Sequence, residues 1–176
     1  MIPDGVRVIG PNAFSSCKYL SNVIIGNRVT HINSQAFYGC SNLAKVTMGS
    51  NITRIGDAAF ANCQLVDVVI PNGVTYIGTH AFGGNTGTLR KCIIPKTVET
   101  IKGNAFSGDG NTTMYCEHES KPNGWESTWA DEEAIIVWGV TNSFIEASSE
   151  YLKKSEAFSG KYSDLSGKPT IPTALS

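Results

Sequence analysis

The sequence predicts a repeat solenoid, mainly β, with about five turns of 22–24 residues. One unit, residues 25–48, recurs in variant form through almost all of the chain before residue 140. The clearest column of the aligned copies is a Phe that always follows an Ala, with steps of 23, 23, 22 and 24 residues: Phe14, Phe37, Phe60, Phe82 and Phe106. A unit of this length cannot bury its own apolar side, so neighbouring turns must bury one another.

Each unit first supplies a strand that follows a column Leu. In residues 20–25, Leu20, Val23 and Ile25 are predicted to point inward, because side chains alternate along a strand. The residues between them then point outward on the inner, concave sheet and form two columns. The polar column is Asn22, Lys45, Asp67 and Lys91, and the mostly β-branched column is Ile24, Thr47, Val69 and Ile93.

These eight outward residues are the candidate ligand-binding site. An exposed aliphatic column on a solenoid sheet can mark a binding surface. It can equally reflect strand propensity, since Ile, Val and Thr favour any strand position. A second short extended piece, residues 29–32 and its copies, leads into the Ala-Phe corner, where the Phe ring is predicted to pack between turns.

The five cysteines do not suggest a disulfide framework, because their number is odd. Cys17, Cys40 and Cys63 recur at one position of the repeat, and Cys92 and Cys116 fall in strand columns. We therefore expect all five to be buried core thiols rather than redox or metal ligands, which need exposed, electropositive surroundings.

The repeat resembles the BspA-type leucine-rich repeat of bacterial surface proteins. The resemblance is carried by the Ile-Pro pairs at residues 2–3, 70–71 and 94–95, by the five Ala-Phe pairs, and by Cys17, Cys40 and Cys63. It implies a right-handed, leucine-rich-repeat-like solenoid over residues 1–116, displayed outside the cell for adhesion or binding.

Residues 117–140 look like the aromatic C-terminal cap that closes such arrays. Trp125 and Trp129 stand four apart, as on one helical face, and residues 134–138 have the composition of a final buried strand. Large aromatic side chains would cover the open end of the last turn, so we interpret the tryptophans as structural rather than as a platform for sugars.

Two loops depart from the repeat. Residues 83–88 and 107–113 are rich in Gly and polar residues and replace the Cys-containing corner of the earlier turns. We expect both loops to be irregular and exposed. If the solenoid has a special loop site, we expect it to lie in these two loops.

Residues 141–176 lack the repeat and form a polar tail. A short amphipathic helix is predicted over residues 143–158, as a linker or assembly element. Residues 164–173, with the sequence D-L-S-G-K-P-T-I-P-T, resemble an element of phage tail and tail-fibre proteins. That resemblance implies a trimeric fibre.

The composition excludes several classes of function. A net charge of −1 and a pI near 6.3 predict no nucleic-acid partner. No run reaches the roughly 18 to 20 apolar residues that a membrane helix needs. His31, His80 and His118 are scattered along the chain, and we predict no catalytic site, no metal site and no cofactor.

The sequence therefore predicts a non-enzymatic, extracellular or cell-surface binding and adhesion module. Its partner would be a protein or glycan on another cell surface, recognised through the concave face and the two long loops. The alternative is a phage or prophage tail component of the virion, in which residues 141–176 assemble a trimer.

Overall fold

The structure is a computed structural model of the 176-residue chain, and it describes residues 1–108, 110 and 112–141. The described chain winds through about six turns of short parallel strands, and no described residue belongs to an α-helix. The strands are β1 (Val8–Ile9), β2 (Asn22–Ile24), β3 (His31–Ile32), β4 (Lys45–Thr47), β5 (Arg54–Ile55), β6 (Asp67–Val69), β7 (Tyr76–Ile77), β8 (Lys91–Ile94), β9 (Thr100–Ile101), β10 (Thr113–Cys116) and β11 (Ile135–Trp138). The predicted repeat solenoid is confirmed.

One side of the solenoid is a continuous parallel sheet in the order β1-β3-β5-β7-β9. Each strand has two residues, and the buried Ile of one turn pairs in register with that of the next, as Ile9 does with Ile32 and Ile32 with Ile55. These strands are the predicted second extended pieces before each Ala-Phe corner.

The core is built by the inward columns. Val23, Val46 and Val68 are buried at the centres of β2, β4 and β6, while the residues on either side of each are exposed. At the corner the five Phe rings form one stack, with centroids 5.0–5.4 Å apart and planes within 3–8° of parallel. Parallel rings at this spacing bury large apolar faces against one another.

A left-handed residue precedes every Ala-Phe pair. Its φ lies between 51° and 59° at Asn12, Gln35, Ala58, His80 and Asn104. The reversal aims the next N–H groups at the following turn. Phe37 N donates to Ala59 O at 2.8 Å and Phe60 N to Ala81 O at 2.7 Å, and the same bond recurs at the other corners.

Residues 117–139 contain the predicted aromatic cluster and also continue the array for a further turn. β11 pairs with β10 in parallel, and Trp125 and Ala130 bridge to Ile101 and Phe106 of the turn before. The ring of Trp129 packs edge-on against Phe106, with centroids 6.0 Å apart. The Trp125 Nε1–H donates to Val98 O at 3.0 Å. The stack therefore ends on tryptophans that keep the inter-turn bonding.

Two details of the predicted cap were wrong. Trp125 and Trp129 do not share a helical face, because each follows a turn of the solenoid: their N–H groups donate to Pro122 O and Glu126 O, three residues back. The final strand is also only half-buried, and Ile135 is 59% exposed. Within the described residues it pairs with β10 alone.

The cysteine prediction was correct at four of five positions. Cys40, Cys63, Cys92 and Cys116 are buried, but Cys17 is exposed. The Sγ–H of Cys40 donates to Phe14 O at 3.0 Å and that of Cys63 to Phe37 O at 3.2 Å, each in the preceding turn. Within the described residues Cys17 forms no such bond to the carbonyl of a preceding Phe.

The solenoid, Met1–Gly139, is one compact unit. The predicted helix over 143–158 and the tail-like residues 164–173 lie outside the described residues. Within the described residues there is no helix that could cross a membrane.

Replacing Phe60 by Ala should lower the free energy of unfolding by about 3 to 5 kcal/mol, because the fully buried ring stacks on Phe37 and Phe82 and no other side chain can fill its place. Denaturant unfolding followed by circular dichroism measures the change. The matched control is Tyr19→Ala, since Tyr19 is an aromatic residue 98% exposed at a corner. Equal losses for the two variants would contradict the role of the stack.

Alkylation of the native chain by iodoacetamide at pH 8 should modify Cys17 alone. Burial raises the pKa of Cys63 and of Cys116 from 9.0 to about 12, so these thiols stay neutral and inaccessible. Because the raised pKa belongs to the folded state, the stability that these neutral thiols provide is complete below pH 9.0 and is lost as the pH rises toward about 12.

Intact-mass spectrometry counts the modified thiols, and Cys17→Ser should abolish native labelling. Labelling of Cys40 or Cys63 as fast as Cys17 would show that the corners open in solution.

Candidate binding cleft

The sheet that carries the two outward columns is split in two. β2 and β4 form a two-stranded sheet, and β6, β8, β10 and β11 form a four-stranded one. Pairing is regular inside each part, as between Asn22 and Lys45 and between Asp67 and Lys91. β4 and β6 follow one another in the stack, yet they do not pair.

A shortened corner accounts for this split. Leu20 and Leu43 come three residues after the corner Cys, but Leu65 comes only two residues after Cys63. In the longer corners the Leu N–H donates to the Cys carbonyl, at 3.0 Å for Leu20 and 2.8 Å for Leu43. The short corner cannot close this turn. The Val66 N–H still donates to Ala44 O at 3.2 Å, as the equivalent bond does in the other turns, but the ladder does not continue into β4 and β6.

Asn85 of the next turn completes the shortened corner. Its side chain is fully buried, its Oδ1 accepts the Leu65 N–H at 3.0 Å, and its Nδ2 donates to Phe60 O at 3.2 Å and Phe82 O at 2.6 Å. The bond to Phe60 O replaces the thiol bond that Cys40 and Cys63 make in earlier turns. The Asn85 amide therefore donates the bond that a corner Cys donates in earlier turns. It also accepts the Leu65 N–H, which has no acceptor in its own corner.

The outward side of the split opens as a cleft of about 880 Å³, here called the β4–β6 cleft. Val69, 57% exposed, and Val66, 39% exposed, lie on the β6 wall, and Lys45 lies on the β4 wall. The full lining comprises Asn27, Ala44, Lys45, Val46, Thr47, Met48, Ser50, Val66, Asp67, Val69, Pro71 and Asn72. The volume lies within the range of small-ligand sites in proteins.

Half of the predicted site residues line this cleft: Lys45, Thr47, Asp67 and Val69. Asn22 and Ile24 are exposed on β2, outside the cleft. Lys91 is half-buried, and Ile93, which we expected to be exposed, is buried. Ile93 pairs in register with Val69 on one side and with Tyr115 on the other, so it lies between two large residues of the same outward column.

Sequence reasoning missed the other lining residues, above all Val66 and Met48. A signal was present in the 22-residue step between Phe60 and Phe82, which marks the only turn shorter than 23 residues. The 22-residue step indicates a shortened corner, but it does not indicate that β6 fails to pair with β4.

The two long loops are less exposed than predicted. Gly83, Asn85 and Thr112 are buried. The Thr112 hydroxyl donates to Leu89 O at 2.7 Å, so this side chain serves the packing between turns. A second hollow of about 770 Å³ lies on the corner side and includes Gly83, Gly84, Ser107 and Gly108 together with His80 and Asn62.

The charges of the cleft are separated. Lys45 and Asp67 are exposed on opposite walls, and no ion pair joins them in the described residues. No group of three or more His, Cys, Asp or Glu in the described part of the chain could hold a metal ion. The cleft therefore offers a ligand one cation (Lys45), one anion (Asp67) and aliphatic surface.

Over residues 1–113 the chain matches the family model described as the BspA type leucine-rich repeat region, with six copies. The chain belongs to the BspA type leucine-rich repeat family. The resemblance carried by the Ile-Pro and Ala-Phe pairs is thus confirmed. The resemblance of residues 164–173 to phage tail proteins lies outside the match and outside the described residues, and it stays a prediction.

Two solved structures of bacterial proteins are similar to this one. A leucine rich cell surface protein from Faecalibacterium prausnitzii A2-165 is 31% identical with a TM-score of 0.60, over 83% of this chain and 33% of that one. A leucine-rich repeat protein from Eubacterium ventriosum ATCC 27560 is 28% identical with a TM-score of 0.58, over 72% of this chain and 31% of that one. The match spans about a third of each protein's length, and no curated protein matches the chain.

Asn85→Ala should lower the free energy of unfolding by about 2 to 4 kcal/mol, because it leaves the buried Leu65 N–H and Phe60 C=O without partners. Asn85→Cys should be less damaging than Ala, since a thiol can still donate to Phe60 O as Cys63 does to Phe37 O. It should still destabilise, because sulfur is a weak acceptor for Leu65 N–H.

Denaturant unfolding of the three proteins gives this order of stability. Thr86→Ala is the neighbouring exposed control, expected to change stability by less than about 0.5 kcal/mol. An Asn85→Cys variant as stable as the parent chain would show that the Leu65 bond contributes nothing.

Proposed function

We propose that this chain is a non-enzymatic binding module of a bacterial surface protein, and that the β4–β6 cleft is the centre of its binding surface. The observation that carries the proposal is the split sheet: at one place along the stack, an outward face of otherwise regular turns opens into a cleft with aliphatic walls and unpaired charges. Exposed apolar surface of this kind marks sites of interaction.

The relatives support location at the cell surface. The Faecalibacterium prausnitzii protein is named a leucine rich cell surface protein, and it shares 31% of aligned residues with this chain. The family identity supports a binding role, because leucine-rich repeats use a surface built from successive turns to hold a partner. Export and surface display of this chain remain part of the proposal.

The rigidity of the surroundings also supports a binding role. The turns that line the cleft also contribute strands to an uninterrupted five-stranded sheet and rings to an unbroken Phe stack. A preformed site held by such elements binds without a large ordering cost. The ligand would be a protein or glycan on another surface, contacted first by Lys45, Thr47, Asp67 and Val69, with Asn22, Ile24, Lys91 and the loops at the margin.

The alternative, a trimeric tail component of a virion, rests on residues 141–176, of which only residue 141 is described. It has no support from the comparisons, and it stays a prediction.

The test is binding of the fluorescently labelled full chain to an array of glycans and an array of purified extracellular proteins. Lys45→Glu combined with Val69→Asp should weaken every specific signal by about tenfold or more, because it inverts one charge and places a second beside the apolar wall. Both residues are exposed, so the fold should survive.

The matched control is Lys18→Glu with Tyr19→Asp, which makes the same change in charge at an exposed corner outside the cleft. Circular dichroism establishes that both variants are folded. Signals that persist in the cleft variant, or that fall equally in both variants, would place the binding surface elsewhere.

A further inference from the structure

We infer that a hollow on the corner side of the solenoid binds a neutral sugar ring. The hollow, of about 770 Å³ and here called the corner hollow, is lined by residues of four successive corners, including Tyr38, Asn62, His80 and Ser107. It shares no lining residue with the β4–β6 cleft, so the inference concerns a second site and holds independently of that cleft. Three features of the described residues carry it: a floor of small residues, polar side chains that bond to no protein group, and a lining with an aromatic ring and no basic side chain.

Small residues in one column of the repeat create the space. The residue that follows the stacked Phe is, in successive corners, Ser15, Tyr38, Ala61, Gly83 and Ser107. Tyr38 is 36% exposed, so a side chain at this position points away from the core. Ala61 and Gly83 offer a methyl group and a hydrogen in its place. The hollow therefore opens between Tyr38 and Ser107, which stand three turns, or about 14 Å, apart along the stack.

Polar side chains come together over the glycines of the floor. The backbone at Gly83 is not left-handed, and the equivalent residues of other corners carry side chains, so the corner itself does not require glycine there. A Cβ at Gly83 would lie 3.3 Å from His80 Cδ2 and 3.3 Å from Ser107 Oγ. In the same way, the Asn62 Oδ1 occupies the place that a Cβ of Gly84 would need. The glycines thus leave the space beside an imidazole, a hydroxyl and an amide to a ligand.

The main-chain N–H groups of the floor are already paired with the next turn. Gly39 N–H donates to Ala61 O at 2.9 Å, Asn62 N–H to Gly83 O at 2.9 Å, and Gly84 N–H to Ser107 O at 2.7 Å. The floor therefore offers no free N–H group to the main chain of a peptide, and a ligand must be held by side chains.

The side chains around the floor have hydrogen-bonding capacity that the protein does not use. Within the described part of the chain, the Tyr38 hydroxyl, the Asn62 amide and the His80 ring make no hydrogen bond. Each of these groups can donate and accept. At the rim, the Asp57 Oδ1 accepts the Thr79 N–H at 3.0 Å, which holds the carboxylate in place and leaves Oδ2 as an acceptor. The neighbouring hydroxyls of a sugar also donate and accept, so they complement this mixed set.

The Tyr38 ring and the charge of the lining narrow the ligand to a neutral sugar. One face of a sugar ring carries C–H groups, and an aromatic ring is a flat apolar surface against which that face can pack. No Lys or Arg of the described residues lines the hollow, whereas Asp57 does. A phosphate, a sulfate or an acidic sugar would meet a carboxylate without the guanidinium or ammonium group that usually binds such anions.

The test is saturation-transfer NMR of the full chain with the methyl glycosides of glucose, galactose, mannose and N-acetylglucosamine, and with methyl glucuronide as the acidic comparison. We expect at least one neutral glycoside to bind with a Kd of about 1 mM, and the glucuronide to bind more weakly. Binding of this strength leaves no signal on a washed array, so it is measured in solution.

Three substitutions copy residues that other corners carry at the same positions, so the fold should survive them. Tyr38→Ser copies Ser15, Asn62→Gly copies the left-handed Gly39, and His80→Ala copies the left-handed Ala58. Each should weaken the best glycoside by about tenfold in an NMR titration. The matched controls lie outside the hollow and should leave the affinity unchanged: Tyr19→Ser, Ser16→Gly and Gln35→Ala. Circular dichroism establishes that all six variants are folded.

The cleft variant, Lys45→Glu with Val69→Asp, should bind the glycosides as the parent chain does. Glycoside binding that is lost in the cleft variant and kept in the hollow variants would place the sugar in the β4–β6 cleft, which overturns this inference while the proposed function stands. The inference also fails if no neutral glycoside binds, if the glucuronide binds as well as the neutral sugars, or if the hollow variants bind no more weakly than their controls. The array experiment on the cleft decides the proposed function separately.

Discussion

The stack of phenylalanine rings sets the geometry that the rest of the solenoid follows. Successive centroids are 5.0–5.4 Å apart, close to the roughly 4.8 Å that separates neighbouring strands. The spacing of the rings, one per turn, is therefore nearly equal to the spacing of the hydrogen-bonded strands. Any turn that keeps its ring in the stack must also keep its Ala-Phe backbone aligned with the next turn, through bonds such as Phe60 N–H to Ala81 O.

This constraint explains why a change of chain length is absorbed on one side only. The residue missing between Cys63 and Leu65 does not disturb the corner: Phe60 and Phe82 still stack, and β5 and β7 still pair. After the Val66 N–H to Ala44 O bond the ladder stops, and β6 pairs with β8 but not with β4. The cleft therefore lies where the regular Phe stack is followed by a connection one residue shorter. Buried Asn85 bonds to both parts, through Phe60 O in the stack and Leu65 N–H in the connection.

Prediction from the sequence was correct at positions where the same residue type has the same neighbours in every turn. The Ala-Phe steps predicted the solenoid, and strand alternation placed Val23, Val46 and Val68 inside. It failed where the neighbouring turn decides the outcome. Ile93 has the outward phase of Val69 but is buried, since its next partner in the column is Tyr115. Cys17 has the repeat position of Cys40, but in the described residues it is exposed and makes no bond to a Phe carbonyl. Alternation predicted four residues that line the β4–β6 cleft, whereas Val66 and Met48 line it only because two strands do not pair.

Asn85 has a consequence for how such an array can change by gain and loss of units. The side chain belongs to one turn, yet it completes the corner of the turn before it, through Leu65 and Phe60. The turn after Phe14 is joined to its neighbour by the generic Cys40 thiol bond, so a unit of that kind can be duplicated or exchanged without a special partner. The shortened turn cannot be moved alone, because a Cys-bearing neighbour would leave a buried N–H without an acceptor. Recombination must carry these two turns together, and the pair brings with it only the β6 wall of the cleft, since the β4 wall belongs to the turn before them.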